Sequence, residues 1–285
     1  MEGRFSVKFF KRVITFTVLI IIVGLLAAVI IQSLRIGLLK KGMNGGATPV
    51  YAESTPLEYQ KKYPDLHVKN QFKNLTVEDK TVYLTFDDGP SMEQTNKVLD
   101  ILKKYKVKAT FFVVHNPNPE SGAVIQRAID EGHVIGVHTY THDYEKVYQS
   151  VDSFLDDFYK MWIELKDRYG YEAKVFRFPG GSINSYNLAL YDEIIPEMYR
   201  RGFLYYDWNA SAEDAVSGGA SKDRIVKDIL REVHRNNRSI VLLHDSSYMD
   251  TTVEALPEII RRLKKEGYTF KALDETVKPI SFAAL

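Results

Sequence analysis

The sequence contains no cysteine in its 285 residues. That absence excludes a disulfide scaffold, a thiolate zinc site, an iron–sulfur cluster and a thiol nucleophile, so any metal must be held by imidazole and carboxylate. An excess of one charge is missing too: 38 Lys and Arg stand against 37 Asp and Glu, a net charge of +1. A nucleic-acid partner would favour a strongly basic face, and this balance gives it no support. Internal repeats and low-complexity tracts are also lacking. What is there, 45% hydrophobic and 26% charged residues, is ordinary for a folded protein and argues against wholesale disorder. The length suits one domain of about 200 residues plus an appendage.

The appendage is at the start. Residues 1–12 carry Arg4, Lys8, Lys11 and Arg12 against a single acid, Glu2, and residues 13–31 carry no charge. At 1.5 Å per residue that run makes about 28 Å of helix, enough to cross a ~30 Å hydrocarbon core. The basic flank favours a cytoplasmic N-terminus with the rest of the chain outside, although Arg35, Lys40 and Lys41 on the far side oppose it. The expected organisation is a cytoplasmic tail over 1–12, a single-pass membrane anchor over 13–32, an extracellular stalk over 33–75 and a catalytic domain over 76–280. Gly42, Gly45, Gly46, Pro49, Pro56 and Pro64 interrupt the stalk, which has room for short elements such as 56–63 against the domain. A cleaved signal peptide, giving a secreted protein, is the alternative. The run is long for that, and no small-x-small site follows it.

From about residue 76 strand and helix patterns alternate. Short apolar stretches predict strands over 82–85, 109–114, 134–137, 175–178, 203–207, 239–243 and 268–271. Helical spacing predicts helices over 95–105, 123–131, 145–169, 186–201 (broken near Pro196), 222–236 and 253–266. Such alternation implies an α/β fold, a parallel sheet with helices outside. About seven units suggest a barrel, possibly incomplete; a doubly wound sheet would give the same string.

Polar residues gather where these strands end. Asp87, Asp88, Gly89 and Pro90 follow the first, His138 and His142 the third, Arg177 and Pro179–Gly181 the fourth, Trp208, Asn209 and Asp214 the fifth, and His244 and Asp245 the sixth. In a parallel α/β fold these points share one face, where active sites gather. His138 and His142 can share a divalent cation if the backbone is turned, with Asp88 as the natural third ligand; capping of the next helix is the plain alternative. Asp87 then faces the reacting water as a base, though Asp-Asp-Gly-Pro is also turn chemistry. Arg177 would hold Asp87 ionised, or make only a surface ion pair. The Gly-Gly turn offers N–H groups to a substrate oxygen, or merely meets a loop's need for positive φ. His244 reads as a third imidazole ligand, a general acid oriented by Asp214 or Asp245, or a structural histidine. His133 reads as structural, His115 as a rim residue without an evident partner, and His67 and His234 as exposed.

Four ordered stretches, Thr85-Phe86-Asp87-Asp88-Gly89-Pro90, His138-Thr139-Tyr140-Thr141-His142, Arg177-Phe178-Pro179-Gly180-Gly181 and Val241-Leu242-Leu243-His244, resemble the motifs of the polysaccharide deacetylases, the NodB-homology domain of carbohydrate esterase family four. The resemblance spans about 76–278 and implies a distorted (β/α) barrel. It implies that Asp87 is the general base, that Asp88, His138 and His142 bind a divalent metal, usually zinc, and that Arg177 tethers Asp87. It further implies that the Gly180 N–H holds the oxyanion, that Pro179 lies in the substrate site and that His244 protonates the leaving amine. The family's Asp-x-x-Asp-Trp motif is met only by Ser211-Ala212-Glu213-Asp214-Ala215, which makes Asp214 the partner of His244 and leaves Trp208 to replace the missing tryptophan wall. Many members have Tyr where Gly180 stands, so a more open groove is expected here.

The implied activity is removal of N-acetyl groups from a cell-surface amino-sugar polysaccharide with release of acetate. An outward-facing, membrane-anchored domain meets peptidoglycan first, GlcNAc before MurNAc. Poly-GlcNAc, chitin oligomers and acetylxylan are the other substrates. Two other classes compete. A non-catalytic glycan-binding module predicts loss of a ligand or of the base, and none is lost; a phosphoesterase predicts a second metal cluster, and none is evident.

Overall fold

The computed structural model describes residues 56–69, 72, 75–215 and 219–283. The expected tail and membrane anchor, and the stalk up to residue 55, lie outside the described residues. Among the described residues no helix is long and apolar enough to cross a membrane.

The chain alternates as its pattern predicts. After the short helix α1 (Glu58–Lys61) come β1 (Thr81–Asp87), α2 (Gln94–Tyr105), β2 (Thr110–Val113), α3 (Ser121–Asp130), β3 (Val134–Val137), α4 (Tyr144–Val147), α5 (Val151–Tyr169), β4 (Val175–Phe176), α6 (Tyr191–Arg200), β5 (Leu204–Tyr205), β6 (Ala210–Ser211), α7 (Lys222–His234), β7 (Arg238–His244), α8 (Asp250–Lys265) and β8 (Thr269–Lys271). There are thus eight described strands rather than about seven; β6 is too short to show a period.

All pairings are parallel, in the order β5-β4-β3-β2-β1-β7-β6. Read as a circle this is 1 to 7 in sequence, the order of a barrel and not of a doubly wound sheet, with an unpaired seam between β5 and β6. In a flat sheet β4 and β1 would lie about 14 Å apart, three steps of ~4.8 Å. Yet Arg177, directly after β4, reaches Thr85 of β1 with one hydrogen bond of 2.7 Å. The sheet is therefore curled around that side chain. β7 pairs with β1 along its whole length, and β8 and β2 divide the other edge, β8 at Thr81–Tyr83 and β2 at Thr85–Asp87.

Residues near the C-terminus lie along the seam. Asp207 N–H donates to Ile280 O at 2.9 Å, and Phe282 N–H to Asp207 Oδ2 at 2.6 Å. Part of the expected stalk also packs on the body: Leu66 is fully buried, and the buried Arg201 donates to the carbonyls of Tyr59, Lys62, Tyr63 and Leu66.

The helix expected over 145–169 is two helices. Ser150, extended at φ −162° and ψ 168°, breaks the run and caps α5 by accepting from Ser153 N–H. The apolar positions Val151, Phe154, Leu155, Phe158, Met161, Trp162 and Leu165 then face the core at three- and four-residue steps. The helix expected over 186–201 starts only at Tyr191 and runs through Pro196 without ending there. The fourth and fifth strands keep only two ladder residues each, although Arg177 N–H still donates to Val137 O and Tyr206 N–H to Phe176 O, both at 3.0 Å.

Candidate active site at the strand ends

β1 delivers Asp87 buried at 3% exposure, and the next residue, Asp88, takes φ +71°. That left-handed step turns two adjacent carboxylates in different directions. Asp88 meets His138 and His142: its Oδ1 lies 3.4 Å from His138 Nε2 and 3.1 Å from His142 Nε2. His138 Nδ1 is 2.9 Å from Arg177 O, which assigns the proton to Nδ1 and leaves Nε2 facing Asp88. Asp88 Oδ1 is buried with no hydrogen-bond partner, and one donor atom from each of the three residues lies within 4.8 Å of the others. An orphaned carboxylate oxygen beside two imidazole nitrogens fits a divalent cation bound by oxygen and nitrogen, zinc among them. Burial opposes the charge on Asp88, yet the two imidazoles hold its carboxyl well below the ordinary carboxylate range. Burial and the neighbouring His138 both depress His142.

The His138–His142 stretch is a strained loop, not a turn of helix. Thr139 sits at φ 132° and His142 at φ 54°. Asp157 of α5 holds it: one carboxyl accepts Tyr140 N–H at 2.5 Å, Thr141 N–H at 3.2 Å and the Thr141 hydroxyl at 2.7 Å. Sequence reasoning missed Asp157. The signal was an acid between Phe154, Phe158 and Met161 on an otherwise apolar stripe.

Arg177 is 1% exposed, not part of a surface ion pair. It donates to Asp87 Oδ1 at 2.8 Å, Thr85 Oγ1 at 2.7 Å and Tyr206 O at 2.7 Å, and its guanidinium lies over the Phe112 ring at 4.4 Å. Asp87 Oδ2 is left free to face the cage, 3.8 Å from His138 Nε2.

Opposite the cage, His244 ends β7. Asp214, not Asp245, is its partner: Oδ1 lies 2.8 Å from His244 Nδ1, while Oδ2 accepts His244 N–H at 2.9 Å and the Thr252 hydroxyl at 2.8 Å. Burial would lower the imidazole pKa, but Asp214, with Asp87 and Asp88 behind it, raises it to about 9. Asp245 instead bonds the Thr95 hydroxyl at 2.6 Å, and burial pushes it up to about 7. His244 is not among the clustered ligand atoms.

The Pro179–Gly181 turn forms the third side. Gly180 has φ +74°, and its N–H donates to no acceptor among the described residues, whereas the Gly181 N–H closes the turn on Phe178 O. The Pro179 carbonyl is pinned by the Tyr148 hydroxyl at 2.8 Å. Trp208 lies beside this turn: its ring is 5.6 Å from the Arg177 guanidinium and meets Phe282 edge-on at 4.8 Å. The space that a side chain at Gly180 would enter is already filled. A Cβ there would stand 2.9 Å from Tyr144 Cε1, because Tyr144 of α4 occupies that space. Burial and the two aspartates push the Tyr144 phenol up to about 12.

Two other histidines, His133 and His115, serve structure. His133 accepts Ala109 N–H at 3.1 Å, and burial drives it down to about 4. His115 has a partner after all, Glu164 at 2.8 Å, and stacks on Tyr140.

A polysaccharide deacetylase family model matches residues 74–194. The Bacillus subtilis (strain 168) protein YheN is 35% identical over 231 residues, covering 80% of this chain and 79% of its own. A peptidoglycan-N-acetylglucosamine deacetylase of Bacillus cereus (strain ATCC 14579) is 32% identical, over 70% of this chain and 89% of its own. The crystal structure of the catalytic domain of peptidoglycan N-acetylglucosamine deacetylase from Eubacterium rectale ATCC 33656 matches with a TM-score of 0.69 at 36% identity, over 74% of this chain and 96% of that one. With a family model over the segment that carries Asp87, His138 and Arg177, and with relatives of 32–35% identity over 70–80% of its length, the chain belongs to the polysaccharide deacetylase family.

Proposed function

We propose that this chain is a metal-dependent N-deacetylase of a cell-surface amino-sugar polysaccharide, with peptidoglycan GlcNAc as the substrate. The observation that carries the reading is the flanking of one three-ligand cage, Asp88, His138 and His142, by a tethered carboxylate and a carboxylate-paired imidazole. Asp88, His138 and His142 would hold a divalent cation, zinc by the donor set, which would supply Lewis-acid polarisation of the acetyl carbonyl and a more acidic water. Asp87, oriented by Arg177, accepts the proton of the attacking water at its free oxygen. The Gly180 N–H meets the oxygen that becomes negative as the carbonyl carbon turns tetrahedral. His244, kept protonated by Asp214, gives its proton to the departing nitrogen, and the C–N bond breaks to leave acetate and a free amine.

The printed names of the Bacillus cereus and Eubacterium rectale relatives support GlcNAc in peptidoglycan. The uncharged run over 13–31 supports a single-pass anchor that holds the domain outside the cell, next to the wall. The test is mass spectrometry of GlcNAc oligomers and peptidoglycan fragments incubated with the purified chain, with and without chelator. Loss of acetyl groups that a chelator stops and zinc restores is the expected result. Intact acetyl groups on every glycan offered, with metal bound, would make the protein a glycan-binding module instead.

A further inference from the structure

Two tyrosines one helical turn apart bracket the Pro179–Gly180 turn, and their hydroxyls have different fates. Tyr148 is 5% exposed, and its hydroxyl is consumed by Pro179 O at 2.8 Å. Tyr144 is held by the same anchors: Val147 of α4 is fully buried, and the Asp143 carboxyl caps the helix. Its ring is fixed between His142, edge-on at 5.3 Å, and Tyr186 at 5.1 Å. Its hydroxyl, however, bonds no protein group among the described residues. The side chain is thus placed with care, and its one polar atom is left unused.

That atom lies beside the oxyanion donor. The Tyr144 oxygen is 3.2 Å from the position of a Cβ at Gly180. A Cβ stands about 2.5 Å from its own backbone nitrogen. The hydroxyl and the Gly180 nitrogen are therefore at most about 5.7 Å apart, and two donors at ~2.9 Å each can share one acceptor oxygen across such a gap. Gly180 is what permits this, since any side chain there would push the phenol away.

We infer that the Tyr144 hydroxyl is a catalytic donor that joins the Gly180 N–H in binding the acetyl oxygen as it becomes negative. The inference rests on the deacetylase reading and adds a residue to its oxyanion site. A phenol fixed in advance costs no reorganisation at the moment of reaction, so its contribution is to the transition state rather than to substrate binding.

The experiment is steady-state acetate release by the full-length, zinc-loaded chain on a GlcNAc tetramer, wild type against Tyr144→Phe. Phenylalanine keeps the ring contacts with His142 and Tyr186, and metal content and melting temperature are read on the same samples. The expected result is a kcat lower by roughly ten- to a hundredfold, with KM within about threefold and metal content unchanged. A kcat within about twofold of wild type, or a loss carried by KM alone, overturns the assignment. A wild-type chain that binds zinc but releases no acetate sinks the deacetylase reading and this inference with it. An active wild type matched by the variant sinks only the inference.

Discussion

Asp87 and His244 are register partners, opposite one another at the ends of β1 and β7. Partners in neighbouring parallel strands project from the same face of the sheet about 5 Å apart. The proposed base and the proposed acid are thus spaced by a backbone ladder, not by loops. Each is then trimmed by a further residue, Asp87 by Arg177 and His244 by Asp214.

Asp87→Asn keeps the shape and the Arg177 contact but cannot accept a proton. The expected outcome is a kcat lower by about 10²–10⁴ with metal content preserved, checked by acetate release and elemental analysis. His138→Ala should lose both. A near-normal rate in Asp87→Asn would remove it from the role of base.

In the proposed reaction His244 acts as a protonated donor, and Asp214 raises its pKa to about 9. Activity should therefore decline on the alkaline side near pH 9. In Asp214→Asn the alkaline limb should move toward the ordinary imidazole value of ~6.5, visible as a shifted pH–rate profile. The same pairing bears on stability. A raised imidazole pKa contributes fully below ~6.5 and is lost as pH climbs through about 9, so the stability gap between wild type and Asp214→Asn should narrow over that window.

Arg177→Lys removes a planar fork that satisfies Asp87, Thr85 and Tyr206 together at a fully buried position. Lysine offers a single charged centre and cannot span all three. Denaturant unfolding should show a loss of about 3 kcal/mol or more, with activity abolished.

Asp157→Ala frees the loop that presents both imidazoles. Because the loop contains two residues at positive φ, it should relax away from the ligating geometry. Zinc affinity, read by competition with a fluorescent chelator, should fall by about ten- to a hundredfold. Unchanged affinity in a folded variant would show that the loop holds itself.

The meeting of Asp87, Asp88, His138, Arg177 and His244 at one rim was legible in the sequence because each sits directly after an apolar stretch, and side chains at those points have one place to go in a parallel fold; their separate roles came only with the family resemblance. The barrel was legible as an alternation, but its seam was not. β6 has two ladder residues, and its place next to β7 is set by Asn209 bonding the Ile240 backbone, which has no periodic signal. The break at Ser150 was readable as a cap and was hidden by the strong apolar stripe around it. Tyr144 and Phe282 could not be placed at the site, since each arrives there through packing: one occupies space left by a missing side chain, the other comes from the distant end of the chain.

That last arrival matters beyond the site. The wall made by Trp208 and Phe282 hangs on Asp207 and on a few residues that follow the last strand. The same tail also braces the sheet: Arg238 of β7 donates to Lys278 O at 2.6 Å, and Trp208 and Ile280 pack on the cluster that holds Tyr83 of β1 and Ile240 of β7. Such a flank works like a gatepost: the far end of the chain shapes one side of the site and steadies β7 at the same time, so an edit to these few tail positions would be felt in both.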